Sequence, residues 1–510
     1  MDVLLLSTYE LGHQPLALAR PAAHLIAAGH RVRCQDLSVE PLDEALVRAA
    51  GLVGISVPMH TATRLGVRLA ERVRALNPTS HICCYGLYAS PHADILLTGF
   101  VDSVIGGEYE GPLVALAERL ARDEAESATD VMPSARSSAN AGLAAVPDGV
   151  ITRAHDGGVF LGRQPFLLPR RDLLPPLERY AVVDTGAEQR RVGYVEASRG
   201  CAHQCLHCPI TPVYGGRLRV VPEPVVLEDV RQLVALGAEH ITFGDPDFFN
   251  GIRHSLRIVE AMHAEFPSLT FDATIKVEHL LEHRAHLPAL ARAGCLFIVS
   301  AVEAVQDHVL ANFRKGHTAR DVEEALALVE AAGLVLRPTF VPFTPWTSLA
   351  DYLALLEFVE RHRLIRHVDP VQFAIRLLVP RGSSLVGTPA MAPYLGPFDD
   401  ATFSYRWEHP DPRVDRLQEA VSAVVEQAAA RDEDAVLTFA RIRALAEAAV
   451  SATTALPALA GREAVGAAVA APIGSAVRLS AELGDAAIAA ALARGALLPP
   501  VPRLTEAWFC

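Results

Sequence analysis

The chain has 510 residues, 51% of them hydrophobic, and a formal net charge of −13. That length allows about three domains, and the acidic balance argues against a nucleic-acid backbone as partner. No run approaches the roughly 20 apolar residues that span a bilayer, so no membrane partner is expected. The opening Val3-Leu4-Leu5-Leu6 is strand length and lacks a basic flank, so no signal peptide is expected either.

Residues 1–122 alternate strand and helix. Strands are predicted at Val3–Ser7, Arg31–Leu37, Leu52–Pro58, His81–Leu87 and Asp102–Gly106, with helices near Pro21–Ala28, Asp43–Ala49, Thr61–Leu76, Pro91–Leu97 and Gly111–Arg122. Short apolar runs separated by helical patterns indicate an α/β, doubly wound parallel sheet. Ligands of such sheets sit at the carboxyl ends of the strands. Residues 123–190 read as a Ser/Pro-containing linker followed by connecting strands.

A second alternation occupies 191–400. Strands are predicted at Gly193–Ser198, His240–Gly244, Thr270–Lys276, Leu296–Val302, Val335–Phe340 and Val371–Arg376, with helices near 223–236, 251–265, 284–293, 318–332 and 348–363. Six such units suit a partial (β/α)6 barrel of TIM type, whose working residues lie at the carboxyl ends of its strands. Residues 401–510 turn Ala-rich and are expected to form a helical region over the barrel.

Directly after the first barrel strand stands Arg199-Gly200-Cys201-Ala202-His203-Gln204-Cys205-Leu206-His207-Cys208-Pro209. Its CxxxCxxC spacing gathers three thiols on one loop. A [4Fe–4S] cluster normally takes four Cys ligands; three leave one iron open, the mark of a reactive rather than a structural metal site. A zinc site completed by His203 or His207, or a redox pair, fits the same count. Eight cysteines with three so committed suit a reducing cytoplasm better than a disulfide framework. Cys34, Cys83, Cys84 and Cys295 sit in or beside apolar strands and read as small core residues.

Over most of its length the chain resembles radical S-adenosylmethionine (radical SAM) enzymes that carry an N-terminal cobalamin (B12)-binding-type domain. The first domain matches through Gly29-His30-Arg31-Val32, Asp36, Gly54-Ile55-Ser56, Asn77-Pro78 and Gly106-Gly107-Glu108-Tyr109-Glu110. The barrel matches through the Cys triad, Phe243-Gly244-Asp245-Pro246-Asp247-Phe248, Ser300-Ala301-Val302-Glu303-Ala304 and Lys315-Gly316-His317-Thr318. The resemblance implies a [4Fe–4S] cluster on Cys201, Cys205 and Cys208, with SAM chelating the open iron and being cleaved to methionine and a 5′-deoxyadenosyl radical. It implies SAM contacts from Asp245, Asp247, Lys276 and Glu303, and a mouth for cobalamin lined by Tyr85, Gly86 and Glu108 beside Tyr88 and Tyr109. His203 and His207 are expected to face solvent or shape the loop, and Arg376 to face substrate.

The activity so implied is radical chemistry on a small molecule, fed by an electron donor such as flavodoxin or ferredoxin, with methyl transfer as the outcome where cobalamin is bound. A cobalamin-independent rearrangement or group transfer is the alternative within the family. A non-enzymatic iron–sulfur or zinc protein is the alternative outside it. Two departures stand out. The Asp-x-His-x-x-Gly loop of many B12 proteins is replaced by Glu10-Leu11-Gly12-His13-Gln14-Pro15, and the usual Gly-Gly after strand four by Tyr85-Gly86-Leu87-Tyr88-Ala89. A narrower similarity, carried by Phe343-Thr344-Pro345-Trp346-Thr347-Ser348 and the ending Thr505-Glu506-Ala507-Trp508-Phe509-Cys510, is to a subfamily with a Cys-Sec-Ala-Glu-Pro or Cys-Cys-Ala-Glu-Pro tail. It implies that Cys510 stands just before a selenocysteine codon.

Overall fold

Five short strands, each followed by a helix, make the first sheet: β1 (Asp2–Ser7), β2 (Arg31–Asp36), β3 (Leu52–Ser56), β4 (His81–Tyr85) and β5 (Ser103–Ile105). All five are parallel in the order β2-β1-β3-β4-β5, and β6 (Val150–Ile151) closes the β5 edge antiparallel. Helices cover both faces, so β1 and β3 are apolar on both sides: Leu4, Leu6 and Ile55 enter one core, Val3, Leu5 and Leu52 the other. The computed structural model describes residues 1–129, 146–454, 485–495, 498 and 500–506; the middle of the expected linker, much of the Ala-rich stretch and the Cys510 tail lie outside the described residues.

The first helix begins at Leu16 rather than at the expected Pro21, which lies inside it. Proline has no N–H to give the carbonyl four residues back, and Ala17 is that residue. The Tyr85 hydroxyl donates to the Ala17 oxygen instead, at 3.0 Å. Tyr85 is therefore a core residue, 0% exposed, with its ring 4.9 Å from that of Tyr109. It does not line the mouth as expected, because the freed carbonyl draws it inward.

The second sheet starts with β7 (Val182–Asp184), antiparallel to β8 (Gln189–Val195). A ribbon of β9 (Ser198–Gly200) and β10 (Leu218–Val220) then interrupts it, clamping the two ends of the cysteine loop together. β11 (His240–Phe243), β12 (Thr270–Thr274), β13 (Cys295–Glu303) and β14 (Val335–Phe340) continue parallel to β8 in spatial sequence, giving a curled half-barrel. Its outer helices place Val230, Ile258, Met262, Leu290, Val322 and Leu355 in one continuous core with the strands.

The sixth expected strand is reduced to one parallel bridge, Phe343 with Arg376, after a 3₁₀ turn at Pro370–Ala374. Beside β14 a side chain replaces the backbone partner: the Phe340 amide donates to the Gln372 side-chain oxygen at 3.1 Å. The C-terminal region departs from an all-helical cap at both ends. A hairpin of β15 (Leu395–Asp399) and β16 (Ser404–Trp407) precedes the helices Pro412–Ala430, Ala435–Thr454 and Asp485–Gly495. Its tip inserts Phe403 into the first sheet's core beside Ala89 and Leu96. After the helices, β17 (Arg503–Leu504) returns to pair antiparallel with β7.

Candidate active site

The cysteine loop leaves the half-barrel at Gly200, whose φ of +74° suits glycine. A Cβ there would stand 2.3 Å from the Arg217 carbonyl oxygen, so the clamp needs glycine for space as well. Within the loop, Cys208 N donates to Cys205 O at 3.3 Å, Thr211 Oγ1 to Cys205 O at 2.9 Å, and Leu206 N to Phe313 O at 2.9 Å. Cys205 is buried, Cys201 and Cys208 are half-buried, and all three are free thiols. They stand close enough that the charge of one raises the pKa of another. Asn250 Nδ2 donates to Cys201 Sγ at 3.4 Å.

The strand ends around the loop bring the four expected SAM residues to one mouth, in unequal roles. Asp245 accepts from Ala197 N at 2.8 Å and Ser198 Oγ at 2.5 Å, and burial pushes its pKa up to about 7. It latches β11 to the root of the loop instead of offering a free carboxylate. Asp247 Oδ1 caps the 3₁₀ turn after it by accepting from Phe249 N, while Oδ2 faces His203 and His279. Lys276 Nζ lies 2.7 Å from Glu278 Oε2 and 3.1 Å from His203 Nδ1.

Glu303 follows a register shift in β13 and takes φ +69°. The bulge turns its carboxylate into the mouth. Burial alone would push its pKa up, but Lys315 at 3.3 Å and His207 at 3.0 Å hold it down at about 2. His203 and His207 thus turn inward to these carboxylates, not outward to solvent. Sequence reasoning missed Lys315, Asn250 and His279 as parts of the site. The Lys315-Gly316-His317-Thr318 turn between two helices was the available signal for Lys315; the other two follow only from the fold. Arg376 is not at the mouth: it pairs with Asp415 at 2.5 Å and lies 3.5 Å over the Trp407 ring, tying the barrel to the first C-terminal helix.

The first sheet grips this loop through charge. Glu108, expected beside a corrinoid, contacts Arg199 at 3.1 Å and accepts from Tyr214 Oη at 3.0 Å. Glu110 lies 2.8 Å from Arg199 and 3.6 Å from Arg20, which also pairs with Glu196. Arg199 is two residues before Cys201, so the edge of one sheet fixes the entry to the loop of the other. Nearby Glu10 is half-buried with its enclosed Oε2 unpartnered, and desolvation pushes its pKa from 4.5 up to about 8. The unfolded chain therefore releases that proton near pH 4.5, while the fold keeps it to about pH 8. Stability from this group is full below pH 4.5 and falls as pH rises to 8. Glu10→Gln is expected to melt higher than the parent at pH 8, with the gap closing at pH 5; equal gaps at both pH values would refute the assignment.

At the carboxyl edge of the first sheet Gly86 takes φ +120° in the turn after β4. Between Tyr88 and His92 of this edge and His207 and Pro209 of the loop lies a narrow cavity of about 10 Å³, with Arg381 in its lining. Arg381 is ion-paired with Asp94. Sites for drug-sized ligands run to about 300–1,000 Å³, and a corrinoid is larger than such ligands. As they stand, these residues do not fit one.

Residues 195–356 match the radical SAM superfamily. The hopanoid C-3 methylase of Methylococcus capsulatus is 26% identical over 344 residues, covering 65% of this chain; the chain spans 62% of that relative's length. The ribosomal protein uS12 methylthiotransferase of Nitratiruptor is 25% identical over 33% of this chain and 40% of its own. Among solved structures, the cobalamin-dependent radical SAM enzyme OxsB with aqua-cobalamin bound superposes with a TM-score of 0.65 at 14% identity, over 88% of this chain and 73% of that one. The radical SAM methyltransferase TsrM of Kitasatospora setae, with tryptophan and a SAM analogue bound, superposes at 0.56 and 18% identity, over 71% of each chain. At such identities the superpositions speak for the fold alone. Residues 195–356 thus carry the match to the radical SAM superfamily, in a chain that shares the fold of OxsB and TsrM.

Proposed function

We propose that this chain cleaves SAM reductively and directs the resulting radical at a small molecule. The observation that carries the reading is the convergence of three free thiols, on a loop clamped by β9 and β10, with Glu303, Lys276 and Lys315 at the carboxyl ends of a half-barrel. Cys201, Cys205 and Cys208 would hold three irons of the cluster and leave the fourth open. When bound, the cluster supplies the electron that breaks SAM into methionine and a 5′-deoxyadenosyl radical.

The chain's own residues do the holding. Glu303 is kept ionised and is suited to accept from the ammonium of SAM; Lys276 is placed to face its carboxylate. Asn250 supports the Cys201 sulfur. Arg199, fixed by Glu108 and Glu110, sets the angle at which the loop leaves the strand. No helix among the described residues is long and apolar enough to cross a membrane. A small flavoprotein or iron–sulfur protein such as flavodoxin or ferredoxin is the donor this chemistry calls for.

The test is anaerobic reconstitution with iron and sulfide, then an assay for 5′-deoxyadenosine with dithionite. Four irons per chain and SAM-dependent product are expected; a colourless protein that binds zinc and makes no product would overturn the reading. Methyl transfer is the second reading, favoured by the activity named for the hopanoid relative. For a corrinoid to enter, Arg381 must leave Asp94 and open the cavity beside Tyr88. Equilibrium dialysis against hydroxocobalamin, with and without Arg381→Ala, decides it: retention by either protein supports methyl transfer, and retention by neither leaves cobalamin-independent radical chemistry.

A further inference from the structure

Three ligand-type side chains meet beside the cysteine loop, two imidazole nitrogens against one buried carboxylate oxygen. His203 comes from the loop, Asp247 from the end of β11, and His279 from the helix Val277–Glu282. His203 Nε2 is 3.2 Å and His279 Nδ1 is 2.7 Å from Asp247 Oδ2, and all three atoms lie within 4.8 Å of one another. Each is buried, and none forms a hydrogen bond of acceptable alignment. Asp247 is 2% exposed and its other oxygen is anchored by Phe249 N, so the unpartnered oxygen is aimed at the two rings.

We propose that His203, Asp247 and His279 form a mononuclear divalent-cation site adjoining the cysteine loop and separate from its three thiols. Nitrogen and oxygen ligands bind zinc at about 2.0–2.2 Å. Two ligands on a shared tetrahedral ion then stand about 3.3 Å apart. The 3.2 Å separation already meets that spacing, and the 2.7 Å one reaches it with a small shift. Two imidazoles and one carboxylate suit borderline cations such as Zn²⁺ or Fe²⁺ and leave coordination positions open.

Surrounding groups supply what a metal-bound histidine needs. With an ion on Nε2, the His203 proton belongs on Nδ1, which lies 3.1 Å from Lys276 Nζ and 3.7 Å from Glu278 Oε2, so ion binding turns Nδ1 from the ammonium to the carboxylate. Lys276 holds that carboxylate in place at 2.7 Å. The ion would pin the loop between Cys201 and Cys205 to two other elements of the half-barrel, fixing the thiols before any cluster assembles.

The test uses the full chain with Cys201, Cys205 and Cys208 all changed to serine, titrated anaerobically with Co²⁺. One ion per chain with visible d–d absorption is expected. Adding His279→Gln should weaken binding by at least ~100-fold, since outer-shell partners alone are worth 10–100-fold. Absence of cobalt binding, or binding that His279→Gln leaves unchanged, overturns the site. Should circular dichroism show the serine background unfolded, the comparison moves to the cluster-loaded wild-type chain: one cobalt beyond the cluster irons, lost in His279→Gln, supports the site, and none overturns it. Neither readout involves SAM cleavage, so the site stands or falls apart from the radical reading.

Discussion

Serine at any one of positions 201, 205 or 208 is expected to yield a folded, iron-poor protein whose 5′-deoxyadenosine output falls on the order of 10³-fold or more. A serine hydroxyl stays protonated where a thiol gives up its proton to iron. The fold should tolerate the exchange, because the hydrogen bonds that shape the loop run through Leu206 N, Cys208 N and Thr211 Oγ1 and use no sulfur. Asn250 and the His203 amide donate to the Cys201 sulfur and the Ile210 amide to that of Cys208, bonds that a serine oxygen also accepts. Burial pushes the Cys208 thiol up to about 12, so an empty loop carries protons that metal loading must displace. Iron content, circular dichroism and the product assay together check the result. Cys295→Ala is the control: its thiol is buried beside Phe297 in the barrel wall, and iron should be retained. Full iron in two of the three serine variants would remove the loop as the cluster site.

The largest stability loss is expected at Arg171, in the segment that joins the two sheets. Its side chain is 1% exposed and grips Asp229 with two parallel bonds of 2.9 Å. The same guanidinium donates to Gln14 Oε1 at 3.3 Å on the first sheet's loop and to Tyr194 O at 2.5 Å on β8. One buried cation thus touches the first sheet, the connection and the barrel. Arg171→Met leaves Asp229 charged and unpaired in the interior, which costs about 3–5 kcal/mol. Arg171→Met with Asp229→Leu should recover most of that, since the pair's own desolvation is removed as well. Urea midpoints of the single and double variants measure both quantities. A single variant within about 1 kcal/mol of the parent would show that the network does not hold the two halves together.

Both alternations of strand and helix were legible because strands buried on two faces are written as unbroken apolar runs. The carboxyl-end rule places the cysteine loop at the mouth, directly after the first long barrel strand. What escaped depended on partners far away in sequence. Tyr85 read as a lining residue until the carbonyl freed by Pro21 explained why it turns inward. His203 and His207 carry no local sign of direction; Asp247 and Glu303 give them one. The sixth strand had the right residues, but Pro370 opens a 3₁₀ turn and Gln372 does with a side chain what backbone was expected to do. Arg376 has the charge of a substrate contact, and only the position of Asp415 shows that it is a clasp.

The strand β17 has a consequence for how the protein is made. It covers the outer edge of β7, and Val182 N bonds Thr505 Oγ1 at 3.0 Å across 323 positions of sequence. A ribosome adding about 5–20 residues per second takes on the order of 15–65 s to span that distance. For the later part of that interval, after β14 ends at Phe340, the half-barrel can be otherwise complete while its first strand shows an open edge, the template on which neighbouring chains pair. The nascent protein is then vulnerable until β17 is added, and a truncation that removes β17 would make that exposure permanent.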